Sequence, residues 1–270
     1  MQAKKNIIIT GGSSGLGLEL ARHYALKGNN LGLIARNPNK LQSAVEQLQA
    51  LSPGAKIICH SADVGNPGAA REAISQLAGS LGGIDLLINS AGILHEGRFE
   101  DTDIENFREV MEINLFGTIN IIKAALPYLK TSRGQVANIA SMAALTGVFG
   151  YTAYTASKHA LAGFTESLRY EMKSQGVTVQ LICPPEFESP MVEELNRDRS
   201  PENLAHASMV PREPIEVIVR NTVKAIENGR YHTVTGFKAS GTAFGIRHFP
   251  RITRILADRV IRKARARHSL

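Results

Sequence analysis

Tyr154 and Lys158 lie four residues apart, and Ser141 stands thirteen residues before the tyrosine. On a helix, four-residue spacing puts the phenol and the ammonium on one face. A free tyrosine ionises at about pH 10 and is a poor acid–base group at neutral pH. A neighbouring ammonium favours the phenolate and lowers that value. A phenol tuned in this way protonates an alkoxide as hydride reaches a carbonyl carbon, or takes the proton from an alcohol in reverse. Ser141 then offers a hydrogen bond to the carbonyl oxygen. Chance spacing on amphipathic helices produces many Y-x-x-x-K pairs that only pack. Here Ser141 upstream and a glycine turn near the chain's start give the pair its chemical meaning.

That turn reads T-G-G-S-S-G-L-G, Thr10 to Gly17, directly after an apolar run from Asn6 to Thr10. A strand, a glycine-rich turn and a helix form a phosphate cradle. Glycines let the backbone approach a pyrophosphate, and the helix N-terminus offers free N–H groups and a positive dipole end. The candidate contacts are Gly11, Ser13, Ser14, Gly15, Leu16 and Gly17, with Ser13 or Ser14 adding a hydroxyl. The second strand ends in Ala35 and Arg36, where an acidic residue would bind the ribose hydroxyls of NAD. A small residue leaves room for a 2′-phosphate and the guanidinium can grip it as a fork, so NADP(H) is the expected cofactor. Asp63 and Val64 follow the third strand, and Asn89, Ser90, Ala91 and Gly92 follow the fourth. Asp63 either accepts from an adenine amino group or caps its own turn.

These groups need a scaffold that brings strand ends together. Short β-rich runs occur at Asn6–Thr10, Asn30–Ala35, Lys56–Ser61, Ile84–Asn89, Gln135–Ser141 and Thr178–Cys183, with helical spacing between them. Leu16, Leu20, Tyr24 and Ala25 form one apolar stripe. Asn37-Pro38 and Asn66-Pro67 read as N-cap and first helical residue. Alternating β and α segments predict a single Rossmann-type, doubly wound α/β domain with a parallel sheet covered on both faces. After Cys183 the pattern weakens. Residues 184–214 read as a long loop at the carboxyl edge of the sheet, with a substrate lid at about 185–213. A helix over Pro214–Asn228 and a short strand at Tyr231–Val234 follow.

Bulk properties narrow the class. The chain has 270 residues, enough for one domain with a substantial core. Cys59 and Cys183 form no C-x-x-C pair, and the eight histidines lack H-E-x-x-H spacing. A reducing, cytoplasmic setting without a metal is therefore expected. The first apolar run is too short for a signal-peptide core, and no stretch of 18 apolar residues occurs. The net charge of +7 is concentrated in the last 24 residues, which hold eight Lys/Arg and only Asp258 as an acid. The expected organisation is a catalytic domain over 1–246 and a basic amphipathic helix over 247–270. Phe249, Ile252, Ile255, Leu256, Ala257, Val260 and Ile261 recur mostly at helical spacing. Such a helix either packs on protein or lies peripherally in an anionic membrane interface. No aromatic-rich basic motif accompanies it, so nucleic acid is not an expected partner.

From Lys5 to about Val234 the chain resembles the short-chain dehydrogenase/reductase family. The resemblance is carried by the Thr10–Gly17 turn, Asp63-Val64, N-S-A-G at Asn89, I-N-L-F-G around Asn114, Ser141, and Y-T-A-S-K at Tyr154. It implies a seven-stranded parallel sheet and hydride transfer from nicotinamide. It also implies that Asn114 holds a water in a proton relay to Lys158, and that Tyr154 and Lys158 contact the cofactor. Association into a homodimer or homotetramer is implied as well. After the sixth strand this chain has P-P-E-F-E-S-P, Pro184 to Pro190, where the family usually has P-G and then Thr. Pro184, Phe187 and Ser189 are the cofactor contacts expected there. That run, G-V-F-G-Y-T-A-Y before the tyrosine, and I-A-R-N at the second strand's end resemble the 3-ketodihydrosphingosine reductases. The substrate class so implied is a hydrophobic long-chain 3-keto lipid. A steroid, a 3-oxoacyl compound, or a non-catalytic NADP-binding sensor are the alternatives.

Overall fold

Seven runs rich in Ile, Leu and Val become the strands β1 (Asn6–Thr10), β2 (Asn30–Ala35), β3 (Ile57–Ser61), β4 (Leu86–Asn89), β5 (Gln135–Ile139), β6 (Thr178–Cys183) and β7 (His232–Val234) in the computed structural model, which describes residues 4–268. All pair in parallel in the order β3-β2-β1-β4-β5-β6-β7. A parallel sheet buries both faces, and Ile7, Ile8 and Ile9 are fully buried in succession. One face packs α1 (Gly15–Leu26), α2 (Pro38–Leu51) and α9 (Ile215–Glu227) through Leu20, Leu41 and Ile218. The other packs α3 (Pro67–Leu81), α5 (Gly117–Ser132) and α6 (Thr152–Lys173) through Ile74, Ile121 and Leu168. The strand order reverses between β1 and β4, and the crevice above their carboxyl ends is where ligands bind in such sheets.

The cap signals act as the sequence predicts. Asn37 Oδ1 accepts from Lys40 N at 3.0 Å, and Asn66 Oδ1 accepts from Gly68 N and Ala69 N at 2.9 and 3.0 Å. α4 (Ile104–Met111) runs into α5 through a π-turn at Glu112–Phe116.

The stretch after β6 differs from the expected loop. It contains two short helices, α7 (Pro190–Leu195) and α8 (Pro201–Ala207). Each begins with a Ser-Pro pair: Ser189 Oγ accepts from Val192 N, and Ser200 Oγ accepts from Asn203 N, both at 3.3 Å. The basic tail also differs from the single helix expected over 247–270, because the chain breaks at Phe249 and a separate helix runs across the expected boundary at 246. α10 (Phe237–His248) precedes α11 (Pro250–His268), and α11 lies against α8. Residues 1–3 of the expected catalytic domain and residues 269–270 of the expected tail helix lie outside the described residues.

Candidate active site

At the end of β1, Thr10 Oγ1 accepts from Ser90 N and Ala91 N, each at 3.1 Å, joining the two strands at the reversal. The next residues fold tightly. Gly11 has φ of 68°, and a Cβ there would meet the Ser90 backbone at 2.9 Å; one on Gly17 would lie 2.3 Å from the Gly11 carbonyl oxygen. Ser14 is the N-cap of α1 but gives the helix no side-chain hydrogen bond, so amides of the first turn stay available to an anion. Gly15 looks across open space toward Ser189, 3.9 Å from the nearest side-chain atom a Cβ would meet.

From this turn a cleft of about 220 Å³ runs to the tyrosine. Its walls are Gly11, Ser14, Gly15, Leu16 and Gly17; Ala91 and Gly92; Ser141, Tyr154 and Lys158; and Pro184, Phe187 and Ser189. A smaller hollow of about 110 Å³ shares Gly11, Ala91 and Gly92 and reaches Arg36 and Val64. The Arg36 side chain is more than half exposed and its guanidinium lies 3.8 Å from Glu109, while its carbonyl oxygen accepts from Ser61 Oγ at 3.0 Å. Free helix amides, a glycine cradle and a half-exposed guanidinium at the far hollow fit a dinucleotide carrying a 2′-phosphate.

Ser141 follows β5 and starts a short 3₁₀ turn at Met142–Ala144, with its Oγ accepting from Ala143 N at 3.1 Å. Tyr154 and Lys158 lie one turn apart in α6, and the Lys158 Nζ is 5.5 Å from the centre of the Tyr154 ring. That Nζ donates to Ile139 O at 3.2 Å. Burial pushes the Tyr154 phenol up to about 12, and Ser141's hydrogen bond opposes it only in part. Burial also brings Lys158 down to about 8. The expected depression of the tyrosine by the lysine is not seen: desolvation of the phenol raises it, and the Ser141 hydrogen bond is what opposes the rise. Asn114 sits in the π-turn. Its Nδ2 donates to Ile93 O at 2.9 Å and to Ser157 Oγ at 3.0 Å, while its Oδ1 accepts from Ile93 N at 2.8 Å. A Cβ on Gly92 would lie 3.1 Å from Asn114 Oδ1 and 3.7 Å from Lys158 Nζ, so the two groups converge on a point only glycine leaves open.

Beyond Ser141 lies a second cavity of about 350 Å³. Met142, Val148, Met209, Val210 and Ile246 make its walls apolar, and α11 closes it with Ala257 and Ile261. The segment after β6 is held by a partly buried ion cluster. Glu186 pairs with Arg199 through both oxygens, at 3.0 and 2.8 Å, and with Arg212 at 2.7 Å. Arg199 also donates to Asn203 Oδ1 at 2.6 Å and Tyr151 OH at 3.3 Å. Glu202 ties α8 to Arg98 at 2.9 Å and to Arg265 of α11 at 3.3 Å.

Comparison with known proteins matches residues 5–200 to the short chain dehydrogenase family. The chain belongs to this family. It is 32% identical over 227 residues to a 3-dehydrosphinganine reductase of Danio rerio, covering 81% of this chain and 68% of that one. Among solved structures, levodione reductase superposes with a TM-score of 0.80 at 24% identity, over 88% of this chain and 98% of that one. An alcohol dehydrogenase from the archaeon Thermococcus sibiricus, complexed with 5-hydroxy-NADP, superposes with a TM-score of 0.65 at 26% identity, over 67% of this chain and 76% of that one.

Within this short-chain dehydrogenase, four of the sequence-flagged residues stand apart from both hollows. Ser13 is in neither wall. Asp63 Oδ1 accepts from Gly65 N at 2.9 Å, the turn-capping option. Asn89 is buried and donates to Asn138 Oδ1 at 2.9 Å, which passes the chain to Thr165. Asn114 is held behind the cleft by the bonds above. The sequence pattern does not flag Tyr151, Glu186, Arg199, Asn203 or His206. Glu186 was visible in the P-P-E run, but its partners lie 13 and 26 residues away and no local spacing links them.

Proposed function

We propose that this short-chain dehydrogenase reduces a long-chain 3-keto lipid, of the 3-ketodihydrosphingosine type, to its secondary alcohol with NADPH. The observation that carries the proposal is one cleft joining the glycine turn to Ser141, Tyr154 and Lys158, opening onto an apolar cavity. The name of the Danio rerio relative supports the substrate. Arg36 and the NADP analogue in the archaeal structure support the cofactor. Held along the cleft by the glycine turn and Arg36, NADPH would supply the hydride for the carbonyl carbon. Ser141 donates to the carbonyl oxygen and holds it toward Tyr154. The Tyr154 phenol, kept protonated by burial, gives its proton to that oxygen as negative charge develops. Lys158, held at the Ile139 carbonyl, faces the phenol and stabilises the charge left on it. Asn114 fixes the backbone of Ile93 beside this group and supports the relay that returns a proton.

Two associations complete the reading. Phe237 is 92% exposed, and Phe244, Phe249, Ile252, Ile255 and Leu256 are each 44–59% exposed, on α10, α11 and the junction between them. Arg251, Arg259, Arg262 and Arg267 flank them. This is the composition of a surface that rests on an anionic bilayer, from which a lipid ketone would be drawn. No helix among the described residues is long and apolar enough to cross a membrane. Phe99, Ile104 and Phe116, exposed on and beside α4, are the face for self-association. NADPH oxidation measured with 3-ketosphinganine, a 3-oxoacyl thioester and a ketosteroid tests the substrate. A wild-type enzyme that prefers either of the last two contradicts the lipid reading.

A further inference from the structure

We propose that Glu186 selects ketones that carry a protonated amine on the carbon next to the carbonyl. The inference rests on the long-chain keto-lipid reading above and deepens it. Ser141, Tyr151 and Glu186 are the residues common to the cofactor cleft and the apolar cavity, so they mark the passage between them. The reacting carbonyl has to sit in that passage, with its oxygen at Ser141 and Tyr154 and its alkyl chain in the cavity. A substituent on the adjacent carbon is one bond away and stays in the same passage. The carboxylate waiting there is Glu186.

Its surroundings make it a receptor for a cation. Burial works against the Glu186 charge, but the Arg199 and Arg212 guanidiniums outweigh that and hold the carboxyl below the usual range. Arg199 is almost fully buried and fixed by Asn203, Asn196 and Tyr151. Arg212 is 42% exposed and reaches Glu186 from the solvent side. Glu96 also acts on Arg199. With both arginines in place, Glu186, Glu96, Arg199 and Arg212 sum to no net charge. When Arg212 swings into water, the cluster carries one negative charge, which an ammonium neutralises. Glu186, only partly exposed and sharing Arg199 with Glu96, then lacks a second counter-ion, so an amine that supplies it is favoured over a ketone that lacks one. Arg212 is therefore the exchangeable counter-ion and Arg199 the permanent one.

The test compares 3-ketosphinganine with its desamino analogue, 1-hydroxyoctadecan-3-one, in the wild type and in Glu186→Gln. Wild-type kcat/KM is expected to favour the amino ketone by about 10- to 100-fold. Glu186→Gln is expected to erase that preference, the loss in kcat/KM on the amino ketone exceeding the loss on the desamino ketone by the same factor of about 10 to 100. Glu186→Asp, which keeps the charge, restores most of the preference, and melting curves of both variants report whether the lid still folds. Equal losses on the two ketones in Glu186→Gln would show a lid clamp and overturn the proposal. A wild type that reduces both ketones equally overturns it as well, while leaving the keto-lipid reading intact. A wild type that reduces neither long-chain ketone but does reduce a ketosteroid removes the keto-lipid reading, and the amine proposal with it.

Discussion

At Lys158 the protein keeps an amine where its charge is expensive. The residue is buried, and its pKa falls from 10.5 to about 8. In the folded chain it releases its proton near pH 8, in the unfolded chain only near 10.5. Between those values the unfolded state binds more protons, so wild-type stability rises with pH there. Below pH 8 the full penalty is present. Lys158→Met is therefore expected to abolish turnover yet stabilise the fold by roughly 2–3 kcal/mol at pH 7, with the gain fading toward pH 10.5. Urea unfolding at pH 7 and pH 10 measures it, and an equal or negative difference at pH 7 contradicts the account. Arg36 lines the smaller hollow that adjoins the cleft. Arg36→Ala is expected to weaken NADPH binding by about 1.5–3 kcal/mol and to leave NADH nearly unchanged. Equal losses for the two cofactors in parallel titrations would mark Arg36 as structural. Ser141, Tyr154, Lys158 and Arg36 were legible in sequence because each follows a strand or obeys a helical spacing. The direction of the Tyr154 shift was not, because desolvation depends on what packs around the ring.

Among the elements, the segment after β6, expected as a lid, carries the largest gap between sequence and structure. Pro, Glu and Asn in residues 184–214 suppress an apolar period, so the pattern reads as loop. The Ser189-Pro190 and Ser200-Pro201 pairs are nevertheless start signals of the same kind as Asn37-Pro38, and both start helices. What orders these helices is the Arg199 cluster, whose partners come from β6's exit, α8 and the segment before α6. Arg199→Met leaves Glu186 with its solvent-side partner alone. It is expected to cost about 2–4 kcal/mol and to expose α7 and α8 to protease before the rest of the domain. Limited proteolysis with urea unfolding reads both effects, and a variant as resistant as the wild type would show that the cluster does not hold the lid. The sheet, by contrast, was legible to within about two residues, since β1 and β2 are nearly continuous apolar runs between turns and β6 is broken only by Gln180 between Val179 and Leu181. β5 ends at Ile139, two residues before the pattern does, because Ser141 turns to cap the next 3₁₀ turn.

For the whole molecule, α11 serves two surfaces at once. Its inner face closes the apolar cavity with Ala257 and Ile261, while Ile252, Ile255 and Leu256 stay exposed. Sequence spacing alone could not divide these roles, because both sets share one helical period. Removing the helix would open the cavity as well as the outer patch, so point changes are the cleaner probe. Phe237→Ser with Phe249→Ser is expected to reduce cosedimentation with anionic vesicles at low salt while NADPH oxidation with a short, soluble ketone persists. Each basic residue near such a surface contributes on the order of 1 kcal/mol, so 0.5 M salt should release the wild type. Equal sedimentation with neutral vesicles would contradict the membrane contact. The central claim is that hydride from NADPH and a proton from Tyr154 convert the keto lipid to its alcohol. Its most direct test is a single-turnover measurement of NADPH oxidation with 3-ketosphinganine, for the wild type and Tyr154→Phe, alongside NADPH binding to both. The account predicts one dihydrosphingosine per NADPH in the wild type and a loss of at least about 99% of the rate in the variant, with NADPH affinity within a few fold. A variant that retains a third of the wild-type rate, or a wild type that yields no alcohol, contradicts it.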